Sequence, residues 1–164
     1  MRIRCLVDSA IRTALESLTA RLAPPKIYHG TTGPYLSRWT FLYRGEDRWR
    51  LCLHFFHRSD EDRDLHTHPW AWAAALQLAG GYREERRIAD SVLPRDYPPG
   101  SLNIFVASTA HRVDLLDPRG SWSLLLMGPI VGSWGFVDPK TWSFTPWRDA
   151  LRRKGIVPLG GDEA

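Results

Sequence analysis

Hydrophobic and polar positions repeat with the period of a helix in the first segment of this chain and with a period of two over most of the remainder. Residues 8 to 22 place Ile11, Leu15, Leu18 and Leu22 on one face, with Asp8 or Ser9 as N-cap and Pro24-Pro25 as the stop. This predicts a helix packed on the outside of the main domain or at a subunit contact. From Lys26 onward, Gly, Pro, Asp and Asn punctuate short aromatic and β-branched runs every eight to twelve residues, the pattern of an all-β sandwich or barrel. Strands are expected near Tyr35 to Tyr43, Trp49 to Phe56, Trp70 to Leu78, Gly81 to Ile88, Ser101 to Ala107, His111 to Leu116, Ser121 to Met127 and Gly132 to Val137. Each is read with one buried face: Trp49, Leu51, Leu53 and Phe55; Leu102, Ile104 and Val106; Trp122, Leu124 and Leu126. Glycines and prolines at 44–47, 80–81, 98–100 and 117–120 suit tight reversals. The expected organisation is a helical extension over 1–26, a β-barrel over 27–147 and a tail over 148–164, with one or two helical turns from Arg148 and frayed residues at 160–164.

At 164 residues the chain can bury a core without disulfides or a structural metal. Cys5 and Cys52 are far apart and in no Cys-x-x-Cys arrangement, which argues against a disulfide scaffold and a zinc knuckle. With no apolar run of membrane-spanning length and no secretory pattern, the expectation is a cytoplasmic protein without membrane contact. The net charge is +4 and all but three of the 22 basic residues are arginine. These arginines interleave with acids, as at 58–64 and 83–87, which reads as solvated mixed-charge surface and not as a nucleic-acid stripe.

Composition thus excludes more than it selects, and the chemistry has to come from the histidines. His66 and His68, two residues apart on an extended segment, point to one side and can share a metal ion; His111, in a later strand, supplies a third imidazole. Trp70 and Trp72 beside them are candidates to line a pocket, with Tyr82 and Glu84. Glu84 is the carboxylate to consider as a fourth ligand, its other reading being a surface member of the 83–87 charge ladder. Asn103 and Arg112 are further pocket candidates, although alternation puts Arg112 opposite His111. His54 is expected as a core histidine paired with Asp60 or Asp62, and His57 as structural or surface. Phosphate-loop, nucleophile-elbow and zinc-protease helix motifs are absent from the sequence.

The arrangement His66-Thr67-His68, a closing Gly80 or Gly81, then Gly100 leading through a strand to His111, resembles the two motifs of the cupin superfamily. The resemblance spans roughly residues 35 to 137 and implies a double-stranded β-helix, the cupin jelly roll. More narrowly, Leu65-His-Thr-His-Pro-Trp70, Gly80-Gly-Tyr-Arg-Glu84, Ala110-His-Arg-Val113 and Trp134-Gly-Phe136 look like a branch of small, functionally uncharacterised bacterial and phage-associated cupins. Two departures stand out. The motif's glutamate falls on Trp72 or Ala73, and its Pro-x-Gly before the last histidine is Ala107-Ser108-Thr109. What remains is similar to the three-histidine cupins such as cysteine dioxygenase.

The resemblance implies a divalent transition metal (Fe, Zn, Ni or Mn) on His66, His68 and His111, and a small-molecule ligand or substrate. An O2-dependent oxygenase is the first expectation. A non-catalytic cupin binding a sugar or an acid is the alternative, and a metal-dependent isomerase comes third. Trp72, standing at the carboxylate's place, is expected on the strand face of His68, where it would restrict the pocket. A homodimer is left open by the apolar helix face.

Overall fold

A computed structural model describes residues 2–30, 32–61 and 64–153, with side chains from residue 6. After helix α1 (Arg2–Thr19) the chain forms β1 (Lys26–Gly30), β2 (Gly33–Tyr43), β3 (Arg50–Phe56), β4 (Leu65–His66), β5 (Trp72–Ala79), β6 (Tyr82–Ile88), β7 (Ser91–Tyr97), β8 (Leu102–Val106), β9 (His111–Leu115), β10 (Ser121–Met127), β11 (Gly135–Val137) and β12 (Phe144–Pro146), then helix α2 (Trp147–Arg153). The strands pair antiparallel in two six-stranded sheets, ordered β1-β2-β3-β10-β5-β8 and β12-β11-β4-β9-β6-β7. From β3 to β11 the chain changes sheet at every step except the β6–β7 hairpin. These crossings bring β4 and β9 side by side although they are far apart in sequence.

Alternation predicted most of the strands, but it misassigned a face. Leu102, Ile104 and Val106 are exposed by 54, 59 and 48%, while their neighbours Asn103 and Phe105 are buried. Register carries this phase across the first sheet. Ala73, Ala75 and Gln77 pair with Met127, Leu125 and Ser123, which pair in turn with Arg50, Cys52 and His54. The inward face is therefore small or polar over much of its length. Its apolar part is the cluster Cys52, Trp70, Ala73, Ala75, Phe105, Leu125 and Met127. The more hydrophobic positions lie on the outside, where Leu53, Ala79 and Trp122 are covered by Ile11 and Leu15 of α1.

Helix α1 begins at Arg2, six residues before the expected cap, and Asp8 lies inside it. The extra turns expose Leu6 and Val7, so they leave no mark in the burial pattern. Leu18, expected on the packed face, is also exposed. Asp8 has a different task. Its Oδ1 accepts the Gly80 N–H at 2.7 Å, and its Oδ2 accepts from Arg12 Nε at 2.8 Å. The buried Arg12 donates from Nη2 to Asp117 at 3.0 Å and to the Gly120 carbonyl at 2.9 Å. The Gly80-Gly81 turn joining β5 to β6 needs left-handed backbone at both residues, each with φ +78°, and a Cβ on Gly80 would lie 2.3 Å from the Gly120 oxygen. The helix is thus moored to the corner where the chain passes from one sheet to the other.

The expected tail helix is present as α2, and the residues expected to fray at 160–164 lie outside the described residues. No described helix is long and apolar enough to cross a membrane.

Candidate metal centre

His66 lies on β4 directly opposite His111 on β9, so the pairing of two strands sets two of the three imidazoles side by side. His68 follows on an extended segment tied down along its length. Thr67 N–H donates to the Gly135 carbonyl at 2.9 Å, Val131 N–H to the Pro69 carbonyl at 2.9 Å, and Trp70 bridges Ile130. Ring centroids are 4.9 Å apart for His66 and His68, 4.7 Å for His66 and His111, and 5.0 Å for His68 and His111. The candidate ligand nitrogens all lie within 4.8 Å of one another. Nitrogens bound at about 2.1 Å to one ion stand roughly 3 to 3.5 Å apart, so small ring rotations suffice to converge them.

Two carboxylates stand behind the triad. Glu84, on β6, is 1% exposed; its Oε1 meets His111 Nδ1, and it also accepts from Asn103 Nδ2 at 3.1 Å and from Arg86 Nη2 at 2.9 Å. Burial alone would push this carboxyl up, but the contacts from His111, Arg86 and Asn103 outweigh it and bring Glu84 down to about 2. An ionised Glu84 requires a proton on His111 Nδ1, which leaves Nε2 as a lone-pair donor. That Nε2 lies 2.8 Å from His68 Nε2. Asp60 Oδ2 lies 3.4 Å from His66 Nδ1 and accepts the Val113 N–H at 2.7 Å, while Oδ1 of the same carboxylate accepts from the Tyr35 hydroxyl. Carboxylates behind metal-binding histidines fix tautomer and ring orientation in this way. For His68, burial and then the neighbouring His66 and His111 depress the pKa well below the ordinary histidine value, keeping the ring neutral as a ligand must be. The donor set fits a divalent transition metal.

The other candidates divide. Trp70 is buried and stacks on His68 at 4.7 Å with 12° between planes. Phe105 flanks His68 and His111 at 5.1 and 5.0 Å. Tyr82 is buried, its oxygen accepting from Asn103 Nδ2 at 2.9 Å, and burial raises its phenol. Trp72 does not line the site. It is 37% exposed, pairs with the outward Val106, and its indole lies where a Cβ on Gly128 would be, 2.6 Å from Nε1. The bridge at Trp70 and the bend at Ala71 reset the strand phase, so Ala73 takes the inward position. Glu84 is no surface rung, whereas its neighbours Arg83 and Glu85 do face outward, to Asp96 and Arg112. The pairing of Arg112 with Glu85 places it opposite His111, as alternation indicated.

His54 contacts no carboxylate in the way expected. It accepts from Arg38 Nε at 2.8 Å, while Asp60 serves His66; Asp62 lies outside the described residues. His57 bonds Ser37 Oγ at 2.8 Å, away from the triad. Sequence reasoning missed Asp60 as a partner of His66, and nothing in local spacing marks it. For Glu84 a signal existed: it shares period-two phase with the apolar Tyr82.

No family model matches the sequence, and no curated protein matches it. Solved structures do match in fold. An uncharacterized conserved protein with a double-stranded beta-helix domain from Klebsiella pneumoniae has TM-score 0.51 at 12% identity, the match covering 68% of this chain and 90% of that one. The DMSP lyase DddQ from Ruegeria pomeroyi DSS-3 has TM-score 0.50 at 19% identity over 73% of this chain and 62% of that one. The FeII form of HppE has TM-score 0.50 at 13% identity over 64% and 55%. The chain therefore spans less than two thirds of DddQ and HppE, and what it shares with all three is the double-stranded β-helix.

Proposed function

We propose that this chain, a cupin by fold, is a metal-dependent enzyme acting on a small molecule, with one divalent transition metal held by His66, His68 and His111. The observation that carries the reading is the convergence of three ligand nitrogens within 4.8 Å with a carboxylate behind two of them. Three protein ligands leave coordination positions open, and a metal there supplies Lewis-acid or O2 chemistry. Iron, zinc, nickel and manganese are the candidates.

The surrounding groups order the possible reactions. Isomerisation needs a general base beside the substrate, but Glu84 and Asp60 are both engaged with histidines and the raised pKa of Tyr82 keeps it protonated. An O2-dependent oxygenase makes the least demand for such a base and comes first. A non-catalytic cupin binding a sugar or an acid shares the same residues and comes second. Isomerase activity comes last.

The test is elemental analysis of protein purified without chelator. Wild type should carry about one transition metal per chain, His111→Ala should lose most of it, and His57→Ala, whose ring bonds Ser37, should keep it. Equal metal in all three, or none in wild type after reconstitution, would sink the metal reading. Oxygen uptake by Fe(II)-loaded protein with thiols, sugars and carboxylic acids then separates oxygenase from binder.

The partner of the first sheet's outer face is taken to be a second copy of the chain. Leu102, Ile104 and Val106 run antiparallel beside Leu76, Ala74 and Trp72, all but Ala74 exposed, and a two-fold contact buries such an apolar strip by setting it against the same strip of the other copy.

A further inference from the structure

We infer that Arg38 and Arg50, on the inner face of the first sheet, form a subsite for an oxyanion, a carboxylate or phosphoryl group, of the molecule that binds in the barrel. The inference names a substrate class for the reading above and rests on it for the word substrate, although the subsite itself does not depend on a metal. The enclosed or sheet-facing arginines elsewhere have acids: Arg12 has Asp8 and Asp117, Arg86 has Glu84, and Arg112 has Glu85. Arg38 has none among the described residues. Its Nε donates to His54 Nε2 and its Nη1 to the Tyr28 hydroxyl, both at 2.8 Å, and its guanidinium lies 4.8 Å from the Tyr28 ring and 5.8 Å from the Trp70 ring. None of these partners is a carboxylate.

Arg50 lies on the same inner face, four residues along β3 from the His54 that pairs with Arg38, and its charge adds to burial in disfavouring that of Arg38. Its only charge-accepting contact among the described residues is the Tyr43 ring at 5.2 Å, and its buried Nε has no hydrogen-bond partner. Two half-buried cations on one face without an acid among the described residues cost free energy that a bound anion would recover. The donors for it are present. Among the described residues nothing accepts from Arg38 Nη2, and the Tyr28 hydroxyl, which accepts from Arg38 Nη1, can also donate. Trp70 connects the two places, since the ring facing Arg38 also stacks on His68.

The experiment is calorimetric titration of metal-loaded and chelator-treated protein with malonate, with inorganic phosphate, and with malonamide as the neutral match. Wild type should bind one or both anions at least tenfold more tightly than malonamide, and the preferred anion tells carboxylate from phosphoryl recognition. Arg38→Met should lose at least tenfold for the anion and little for the amide, with metal content unchanged, and Arg38→Lys should recover part. Anion affinity equal to that for malonamide, or equal in wild type and Arg38→Met, overturns the subsite while leaving the metal reading intact. Arg38-dependent malonate binding in a protein that takes up no metal supports the subsite and removes the metal. Should Arg38→Met not fold, Arg50→Met and Tyr28→Phe decide: each should weaken malonate at least threefold, and unchanged affinity in both rejects the inference.

Discussion

Glu84→Gln keeps the shape of the side chain and removes its charge, which makes it the sharpest probe of how the centre is built. In the wild type one buried carboxylate receives His111 Nδ1, Asn103 Nδ2 and Arg86 Nη2. The amide offers one accepting oxygen where there were two and turns an N–H toward the arginine or the imidazole. Loss of charge-assisted hydrogen bonds of this kind costs about 1.5 to 3 kcal/mol each, and the partly exposed Arg86 regains some of its share from water. A loss of about 2 to 3 kcal/mol in unfolding free energy is expected. The ionised form is favoured by a folded pKa of about 2 against roughly 4.3 in the unfolded chain. Its contribution is complete above the unfolded value and disappears as pH falls through the folded one. Metal affinity should fall about 10- to 100-fold, because His111 is no longer held with Nε2 as its lone-pair donor. Chelator competition gives the affinity and urea unfolding the stability. Glu85→Gln is the matched control, an outward neighbour paired with Arg112 at 2.6 Å, and should cost less than about 1 kcal/mol and leave metal binding alone. If Glu84→Gln holds metal within about twofold of wild type while His111→Ala loses it, the carboxylate does not orient the ligand.

Arg12→Ala should destabilise by about 2 kcal/mol, since it removes the buried guanidinium that ties Asp8, Asp117 and the Gly120 carbonyl together and leaves the two carboxylates with the exposed Arg119, and should speed proteolysis within α1; a change under about 1 kcal/mol would show that the mooring carries no strength. His54 is kept neutral first by burial and then by Arg38 beside it, so its folded pKa lies below the unfolded value near ~6.5. The unfolded chain therefore takes up a proton that the folded one refuses, and His54 contributes a stability loss of about 1.4 kcal/mol per pH unit below ~6.5 until the folded pKa is reached. His54→Gln should flatten the pH dependence of urea unfolding by that slope, and an unchanged slope would mean that the ring is not held neutral. Ile104→Glu should convert a dimer to a monomer by light scattering without loss of metal, whereas a monomeric wild type would remove the second copy as the partner of that face.

Sequence alone reveals most of the strands that sit inside their sheets. β3, β5, β6, β9 and β10 are read between turn residues, β3 and β10 also by alternation, and all five are found where expected within a few residues. β1, β7 and β12 escaped notice, and each is a sheet edge, whereas β8, the fourth edge, is expected over 101–107 and found at Leu102–Val106. β7 carries Pro94 close to charged residues, a composition that edge strands tolerate and central strands do not. β4 is central but only two residues long, too short to show any period. The triad was legible because ligand spacing on extended chain is a local property. Asp60 behind His66 was not, because that contact depends on how a loop folds over a neighbouring sheet. The phase of Trp72 failed for a third reason: a single bend after Pro69 reverses every assignment downstream of it.

The inward face of the first sheet carries Cys52, His54, Gln77, Asn103, Ser121 and Ser123, all buried, while Leu53 and Trp122 on the opposite side lock to α1. The wall is thus held from without by the α1 contact and from within by the cluster of Cys52, Trp70, Ala73, Ala75, Phe105, Leu125 and Met127, which leaves polar inward positions such as Gln77 and Ser123 comparatively free of duties in folding. Gln77 already leaves its amide nitrogen without a partner, so an apolar residue of similar size there gives up little. A barrel arranged in this way can exchange lining residues one at a time and keep its shape, so its choice of ligand can drift under selection while the frame that holds the histidines stays put.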